Sequence, residues 1–251
     1  MADSNKRSST VRARAAGSRR PARQSSAAGK PRAAAQAPLP QGDVTLTDRA
    51  YAELEELIVT LQLPPGTALS ELVLAKRLDI GRTPIREALQ RLSRDGLVNI
   101  LARRGVLVSE IDLRAQLRLL EVRRELERLM ARGAAERATS EQRAQFSEIA
   151  AGMRRAAEKS DDLLFMRLDH QFNTLISAAS RNEFATRAMG LMHGLSRRFW
   201  YQHYKEAADL PLAARLHADV AEAVAERHVD AAGAASDSLI DYIESFARST
   251  L

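Results

Sequence analysis

The sequence predicts a mainly α-helical protein: a helical domain that ends in a small β-hairpin, followed by an all-α bundle. Three observations support this fold class. Short amphipathic helical patterns interrupted by Pro- and Gly-containing turns occupy residues 44–110, and two β-prone runs close that segment. From residue 111 onward, apolar residues recur at helical spacing with no convincing strand. The chain of 251 residues is long enough for two ordinary domains.

The composition excludes several classes of protein. The chain contains no cysteine, so it cannot form disulfides, thiolate nucleophiles or cysteine-based zinc sites. No stretch approaches the roughly 18 consecutive apolar residues of a membrane span. The N-terminus lacks the apolar core of a secretory signal. We therefore expect a cytoplasmic protein with no membrane partner.

The first 43 residues differ in composition from the remainder. They contain nine Lys or Arg and two Asp, whereas 29 basic and 30 acidic residues follow. This segment is rich in Ala, Ser, Arg and Pro and has almost no large apolar residue, so we predict a disordered basic tail over residues 1–43. It could follow DNA phosphates or serve only as a solubilising tail, and both roles remain open. A transit peptide is less favoured because no amphipathic helix is evident.

The first helix of the domain at residues 44–110 is predicted within "TLTDRAYAELEELIVTLQL", with Thr47 as its cap. Its buried face is predicted from apolar residues three and four positions apart, namely Ala52, Leu54, Leu57, Ile58 and Leu61. The segment "PPGTALS" ends this helix.

A second short helix is predicted to open at Ser70 and to use Leu72, Leu74, Ala75 and Leu78. The turn "DIG" separates it from a third helix that begins near Arg82. Pro84 is tolerated in the first turn of that helix, and its apolar face consists of Ile85, Leu89 and Leu92. Two short helices joined by a glycine-containing turn predict a helix-turn-helix.

A β-hairpin, or wing, is predicted after the third helix. The runs "LVNI" and "GVLV" are β-prone and are joined by "LARRG". In such a module the recognition helix enters the major groove with its N-terminal residues nearest the bases. The arginines at that end would be repelled by the helix dipole unless an anion such as phosphate lay there. The predicted DNA-binding residues are Arg82, Thr83 and Arg86 on the helix and Arg103, Arg104 and Gly105 on the wing.

The run "PPGTALSELVLAKRLDIGRTPIREALQRLSRDGLVNILARRGVLV" resembles the winged helix-turn-helix of the GntR superfamily of bacterial transcription regulators, over residues 46–110. Carried over by motif position, the resemblance implies DNA contacts from Arg82, Thr83 and Arg86 and, in the wing, from Arg104 and Gly105. Gly81 departs from the family, which usually has a Ser or Thr at that position. Glycine can cap a helix, but a hydroxyl contact to phosphate is lost.

Six helices are predicted in the second domain, residues 111–251, over about 112–137, 140–157, 161–179, 182–204, 211–227 and 230–248. No Gly-rich phosphate loop, G-x-S-x-G or H-E-x-x-H motif occurs in them, which argues against an enzyme. Polar residues interrupt apolar faces at Arg123, at Asp169 and Asn173, and at His217. They could converge on a ligand, or each could make an ordinary structural hydrogen bond.

Residues 112–248 resemble the FCD ligand-binding domain of the FadR branch, through "EVRRELE", "RLDHQFNTLISAASRN" and the helix around His217. Many members hold a divalent metal through an Asp, a His one turn later and two further His. Asp169 matches the first ligand and His217 the third. Asn173 stands at the second position, and Leu239 near the fourth.

Two descriptions of this second site remain open. Asp169 and His217 could hold a divalent metal such as Zn, Ni or Mn, with Asp237 or Asp241 nearby, although the ligand set is incomplete. Alternatively, a metal-free pocket could pair Arg123 with an effector carboxylate while Asn173 and His217 donate hydrogen bonds. His170 and His193 are not at matching positions. His170 lies roughly 100° around the helix from Asp169 and is expected to point elsewhere.

These observations predict a ligand-responsive transcription regulator, not an enzyme. We expect a repressor that binds a pseudo-palindromic double-stranded DNA operator as a homodimer and responds to a small carboxylate metabolite, an organic acid or sugar acid. Residues 109–113 are expected to couple the domains. A non-specific DNA-binding protein whose helical domain only dimerises is one alternative, and a metal-dependent enzyme using Asp169 and His217 is another.

Overall fold

A computed structural model describes residues 45–103 and 105–250, apart from the side chain of residue 207. The predicted tail, residues 1–43, and Arg104 lie outside the described residues. The described part of the chain is mainly α-helical, with a small sheet near its start, as the sequence predicts.

The domain at residues 44–110 contains three helices and three short strands. In chain order they are α1 (Leu46–Val59), β1 (Ala68–Leu69), α2 (Glu71–Leu78), α3 (Arg82–Arg94), β2 (Val98–Leu101) and β3 (Gly105–Val108). Helices α2 and α3 form the predicted helix-turn-helix, and β2 pairs with β3 as the wing. The register aligns Val98 with Val108 and Leu101 with Gly105.

Strand β1 is a third strand that the sequence did not predict. It pairs antiparallel with β3, aligning Ala68 with Leu107, so the sheet order is β1-β3-β2. With only two residues after the turn at Pro64 and Gly66, the strand is too short to produce an alternating pattern. The pairing anchors the wing to the segment that precedes the helix-turn-helix.

The cap of α1 differs from the predicted one. Thr45, not Thr47, caps the helix: its hydroxyl accepts from the Asp48 N–H, and the Asp48 carboxylate accepts from the Thr45 N–H in return. This reciprocal pair is a capping box. The Thr47 hydroxyl instead donates to Glu87 of α3 at 2.7 Å.

One buried cluster forms the core of this first domain. Its residues from α1, α2, α3 and the sheet include Ala50, Leu54, Ile58, Leu74, Ile85, Ala88, Leu89, Leu92, Leu97, Val98 and Val108. Two residues assigned to the buried faces are exposed instead, Ala52 and Leu72. Ala50 lies in the core, one turn before Leu54.

Six helices make up the second domain: α4 (Leu113–Arg137), α5 (Ser140–Lys159), α6 (Asp162–Ser180), α7 (Glu183–Ala207), α8 (Leu210–Ala225) and α9 (Val229–Ser249). The side chains of Asp112, Thr139, Asp161, Asn182 and Asp209 each accept a hydrogen bond from the first turn of the helix they precede. These caps explain why the breaks fall close to the predicted positions.

The core of the helical domain is formed mainly by α4, α5, α6, α8 and α9. Fully buried Phe146 of α5 meets Phe172 of α6 edge to face, with ring centroids 6.2 Å apart. Small residues such as Ala134, Ala218 and Ala221 allow the helices to approach closely. Helix α7 contributes the buried residue Ala185 to this core. Its residue Leu195 packs against the core of the first domain, and Phe199 lies in a separate buried cluster with Leu120 and Phe246.

The junction between the domains is formed by α7. Leu195 packs against the core of the first domain. The buried Arg198 guanidinium donates to the carbonyl oxygens of Ser109 and Glu110 and to the Ser109 hydroxyl, at 3.0 to 3.2 Å. A Cβ on Gly194 would lie 2.8 Å from a methyl carbon of fully buried Leu97. The two domains therefore touch closely along one face of α7.

Replacing Gly194 by alanine is expected to disturb this junction. Alanine normally stabilises a helix interior over glycine by about 1 kcal/mol, but the new methyl must displace enclosed Leu97, which costs about 1–3 kcal/mol. We expect Gly194→Ala to lower the melting temperature in calorimetry.

Gly190→Ala is the matched control, because nothing lies within 4 Å of the Cβ it would add to the same helix. It should hold or raise the melting temperature by about 2–4 °C. Equal melting temperatures for the two variants would contradict the close junction.

Candidate functional site

The N-terminus of α3 presents two exposed arginines. The Arg82 and Arg86 side chains are 61% and 56% exposed, and Thr83 is exposed between them. Gly81 occupies the N-cap position without a side-chain hydrogen bond, and no acidic residue lies in the first turn. The positive end of the helix dipole and the guanidinium groups therefore point to one anion-binding position.

A carboxylate of the chain itself interacts with these arginines. Glu71, the first residue of α2, accepts bidentate hydrogen bonds from Nε and Nη2 of Arg86, both at 2.8 Å, and a longer one of 3.5 Å from Arg82. The hydrogen bond from Arg86 lowers the pKa of Glu71. Bidentate pairing fixes the orientation of the Arg86 guanidinium. The sequence pattern does not indicate Glu71 as a partner of this site, because the pair joins residues of two different helices.

The tip of the wing is built from residues with a left-handed backbone. Arg103 has φ +66° and is exposed, and Gly105 has φ +84° with open space around its Cα. Glycine reaches this region without strain, whereas arginine does so at some cost. Among the wing residues predicted to bind DNA, Arg104 lies outside the described residues.

A cavity of about 340 Å³ lies between the helices of the second domain. All four predicted effector-binding residues line it, and so does Leu239. The remaining polar lining residues include Glu56, Thr60, Gln116, Glu127, Arg167, His170, His193, Ser196 and Arg197. A second cavity, of about 710 Å³, adjoins the first, because the two share Glu127, His170, Phe172, Asn173, His193 and Leu239.

Buried His217 and partly buried Asp169 form a pair in the cavity wall. Nε2 of His217 lies 3.1 Å from Oδ1 of Asp169, and Nδ1 is 2.8 Å from the Ala213 carbonyl oxygen. Burial opposes both charges, but the hydrogen bond between them raises the pKa of His217 and lowers that of Asp169. The imidazole also meets the edges of Phe165 and Phe172, with centroids 5.6 Å apart in each case.

Asn173 and Arg123 are also held by internal hydrogen bonds. The Asn173 amide donates to Oδ1 and to the backbone oxygen of Asp169, at 3.1 and 2.9 Å. Nε of Arg123 donates to Glu127 at 2.6 Å, and its Nη1 donates to the Ser196 hydroxyl at 2.9 Å. Asn173 and His217 thus each form a hydrogen bond with Asp169, and Arg123 lies in the same cavity wall.

Two histidines differ from the sequence-based expectation. His170 was expected to point elsewhere, but it lines both cavities. His193 of α7, which the sequence did not assign to the site, also lines both cavities, and burial lowers its pKa to about 4. The change in helix direction between α6 and α7 brings His193 to this wall, and no local spacing in the sequence could have indicated it.

The residues of the cavity do not fit the four-ligand metal site that the FCD resemblance implies. Asp169 and His217 bond to each other, Asn173 donates its amide to Asp169, and Leu239 offers no ligand atom. The suggested substitutes lie elsewhere: Arg128 binds Asp237, and Arg124 binds Asp241. Among the described residues, no group of three His, Asp or Glu is arranged to hold a metal ion.

The cavity wall also includes residues of the first domain. Glu56, Val59 and Thr60, at the C-terminal end of α1, line it beside Arg197 of α7. The sequence predicts coupling between the domains through residues 109–113, and it does not predict this second contact between them. None of the helices in the described ranges is both long and apolar enough to cross a membrane.

Comparison with known proteins gives two family matches. A model described as bacterial regulatory proteins, gntR family, matches residues 46–108, and the FCD domain model matches residues 118–242. The HTH-type transcriptional repressor RspR of Escherichia coli is 29% identical over 187 residues, which cover 74% of this chain and 82% of RspR.

Two further relatives agree with these matches. The Nta operon transcriptional regulator of Aminobacter aminovorans is 26% identical over 174 residues, covering 69% of this chain and 81% of that protein. The solved structure of Escherichia coli McbR/YncC superposes with a TM-score of 0.72 at 20% identity, covering 83% of this chain and 99% of that one. This structural likeness supports the fold.

Proposed function

Because the chain belongs to the GntR family of bacterial regulatory proteins and carries an FCD domain, we propose that it is a ligand-responsive repressor that binds a pseudo-palindromic operator as a homodimer. The two family matches support its role as a transcription regulator of this family. Repression is inferred from the name of RspR, a relative at 29% identity.

The arrangement of α3 carries the DNA-binding part of the proposal. Two exposed arginines lie at a helix N-terminus that has no acidic residue in its first turn. In the proposed complex this end of α3 enters the major groove, and Arg86 exchanges Glu71 for a guanine edge or a phosphate. The wing, through Arg103 and its neighbours, contacts the adjacent backbone.

The effector is proposed to be a small organic acid or sugar acid bound without a metal. Arg123 is already ordered by Glu127 and Ser196, so little side-chain freedom is lost when it pairs with a carboxylate. His217 and Asn173 line the same wall, and in the proposed complex they exchange their present hydrogen bonds to the Asp169 carboxylate for oxygen atoms of the ligand. We propose no catalytic role for Asp169 or His217, because their polar atoms are engaged in holding the wall together.

The homodimer is proposed to form through α4 and α7. These neighbouring helices carry exposed apolar residues at seven-residue spacing, Val122 and Leu129 on α4 and Phe184 and Leu191 on α7, all between 46% and 69% exposed. Seven-residue spacing keeps side chains on one face of a helix, as in helix–helix interfaces. A second copy of the chain would cover these residues and place two recognition helices on one operator.

Arg86→Ala tests the DNA-binding proposal. The operator is first selected from random duplexes with the wild-type protein and mapped by footprinting. Loss of one bidentate base contact should reduce the preference for the operator over random duplex by about 1–3 kcal/mol, roughly 5- to 150-fold. Fluorescence anisotropy measures both affinities.

Arg215→Ala, which removes an exposed arginine of α8, should change neither affinity. Deletion of residues 1–40 should weaken binding to both duplexes and flatten the salt dependence. If Arg86→Ala weakened binding to the operator and to the random duplex equally, Arg86 would not contact bases. If the wild-type protein gave no footprint on any duplex, the regulator proposal would be overturned.

Asp169→Asn tests the effector site. The wild-type protein should be stabilised by a bound carboxylate, by about 2.7 kcal/mol at 100 times the dissociation constant. The variant loses the charge that holds His217 and should lose this thermal shift, while operator affinity without ligand stays within about twofold.

Elemental analysis of the same preparations separates the two descriptions of the site. A metal-free site predicts much less than one equivalent of Zn, Ni or Mn per chain and an unchanged thermal shift after chelation. A stoichiometric metal that Asp169→Asn removes would replace the carboxylate pocket by a metal centre.

Leu191→Glu tests the dimer. A charge placed in an apolar interface is left unpaired and strongly disfavours association. Light scattering after size exclusion should change from a dimer to a monomer. Leu163→Glu is the control, because Leu163 of α6 is 85% exposed and lies outside the proposed face. A dimer that persists in Leu191→Glu contradicts the α4–α7 interface.

A further inference from the structure

An ion pair between the two domains lies in the wall of the cavity. Nη2 of Arg197, on α7, lies 3.1 Å from Oε2 of Glu56, on α1. Both residues line the cavity, and their side chains are 35% and 56% exposed. A ligand in the cavity therefore has access to a contact that joins the DNA-binding domain to the helical domain.

A second carboxylate of α1 depends on the same guanidinium. Burial raises the pKa of Glu55, and the positive charge of Arg197 is the largest influence opposing that rise. The Glu55 carboxylate also lies close to the α7 backbone, since a Cβ on Gly194 would be 3.1 Å from its Oε1. Arg197 thus compensates two negative charges of α1 at the place where α1 meets α7.

We propose that Arg197 is a second anion-binding residue of the cavity, and that a carboxylate ligand captures it from Glu56 and thereby loosens α1 from α7. This inference rests on the proposed function and specifies how the ligand is sensed. It makes Arg197 the residue that converts occupancy of the cavity into a change at the DNA-binding domain.

Arg197 suits this exchange better than Arg123 does. The Arg123–Glu127 pair has an N–O distance of 2.6 Å, and its side chains are only 12% and 19% exposed. The Arg197–Glu56 pair is longer and more exposed, and such pairs are weak because solvent screens them. A ligand carboxylate can therefore replace Glu56 at little cost, whereas Arg123 keeps its partner and serves as a fixed anchor.

The exchange has a direct structural consequence for α1. When Arg197 turns to the ligand, Glu56 and half-buried Glu55 lose their nearby cation, and their charges then disfavour the contact with α7. Helix α1 packs on α3 through the core that contains Ile58 and Leu89. A shift of α1 is therefore transmitted to the recognition helix.

Two single substitutions with opposite expected effects test the proposal in the full-length chain. Calorimetry measures the binding of succinate, citrate and D-gluconate. Glu56→Gln removes the internal competitor and should tighten binding of at least one of these anions by about two- to fivefold. Arg197→Gln should weaken the same binding about tenfold or more, as expected for loss of a charged hydrogen bond. Arg187→Gln, an α7 arginine that lines neither cavity, should leave it unchanged.

Hydrogen exchange by mass spectrometry provides a readout of the junction. The ligand-free Arg197→Gln protein should exchange faster than wild type in α1 and around Leu97, and the tightest-binding anion should produce the same change in wild type. Protection that is unaltered in both cases would contradict the loosening of α1.

Other outcomes overturn the proposal without removing the proposed function. If Glu56→Gln and Arg197→Gln weaken anion binding to the same extent, the pair is only structural. If none of the three anions binds wild type or Glu56→Gln, Arg197 is not an anion-binding residue of this cavity. In either case, an operator footprint with the wild-type protein would still support the proposed function as a transcription regulator. If the wild-type protein gave no footprint, the proposed function itself would be contradicted.

Discussion

The arrangement of the two domains depends on one buried charge, the guanidinium of Arg198. The residue is 2% exposed, and it donates to the carbonyl oxygens of Ser109 and Glu110 and to the Ser109 hydroxyl. Burial lowers its pKa to about 10. A buried cation is costly unless hydrogen bonds compensate it. The Arg198 side chain therefore holds the backbone of Ser109 and Glu110, which joins the two domains, in a fixed position. The Ser109 hydroxyl in turn donates to the backbone oxygen of Gly96 at 2.6 Å, which connects Arg198 to the segment between α3 and β2.

Helix α7 connects this constraint to the cavity. Gly194, Leu195 and Arg198 contact the first domain, and His193, Ser196 and Trp200 line the cavity. Arg197 does both, because it lines the cavity and pairs with Glu56. The two sets follow the helical repeat on adjacent faces. A ligand that contacts the cavity-lining face of α7 is therefore next to side chains that form the domain junction. Because the two faces are separate, the same helix can line the cavity and contact the first domain.

The sequence was sufficient for those features that depend on local pattern. The helices follow from the apolar period and from capping residues such as Thr139 and Asn182, and the wing follows from two β-prone runs around a glycine. Each of the four predicted effector-binding residues is a polar residue on an apolar face, and all four line one cavity. Their role in binding an effector remains a prediction.

What could not be predicted depends on contacts between distant parts of the chain. Strand β1 forms only because β3 offers it a partner, and the pairs Glu71–Arg86 and Glu56–Arg197 join residues 15 and 141 positions apart. Periodicity also predicts Ala52 in the core, whereas the structure exposes Ala52 and buries Ala50, which lies one turn before Leu54. His170 is exposed and lines both cavities, although it is not on the face of α6 that carries Asp169.

The division of α7 into two faces restricts how its length can vary among relatives. One residue inserted or deleted between His193 and Arg198 would rotate one set of side chains by about 100° relative to the other, and the cavity and the domain junction could not both be kept. Such a change beside exposed Phe184, near the start of the helix, would leave this angular relation intact. Length differences in α7 should therefore accumulate at its ends.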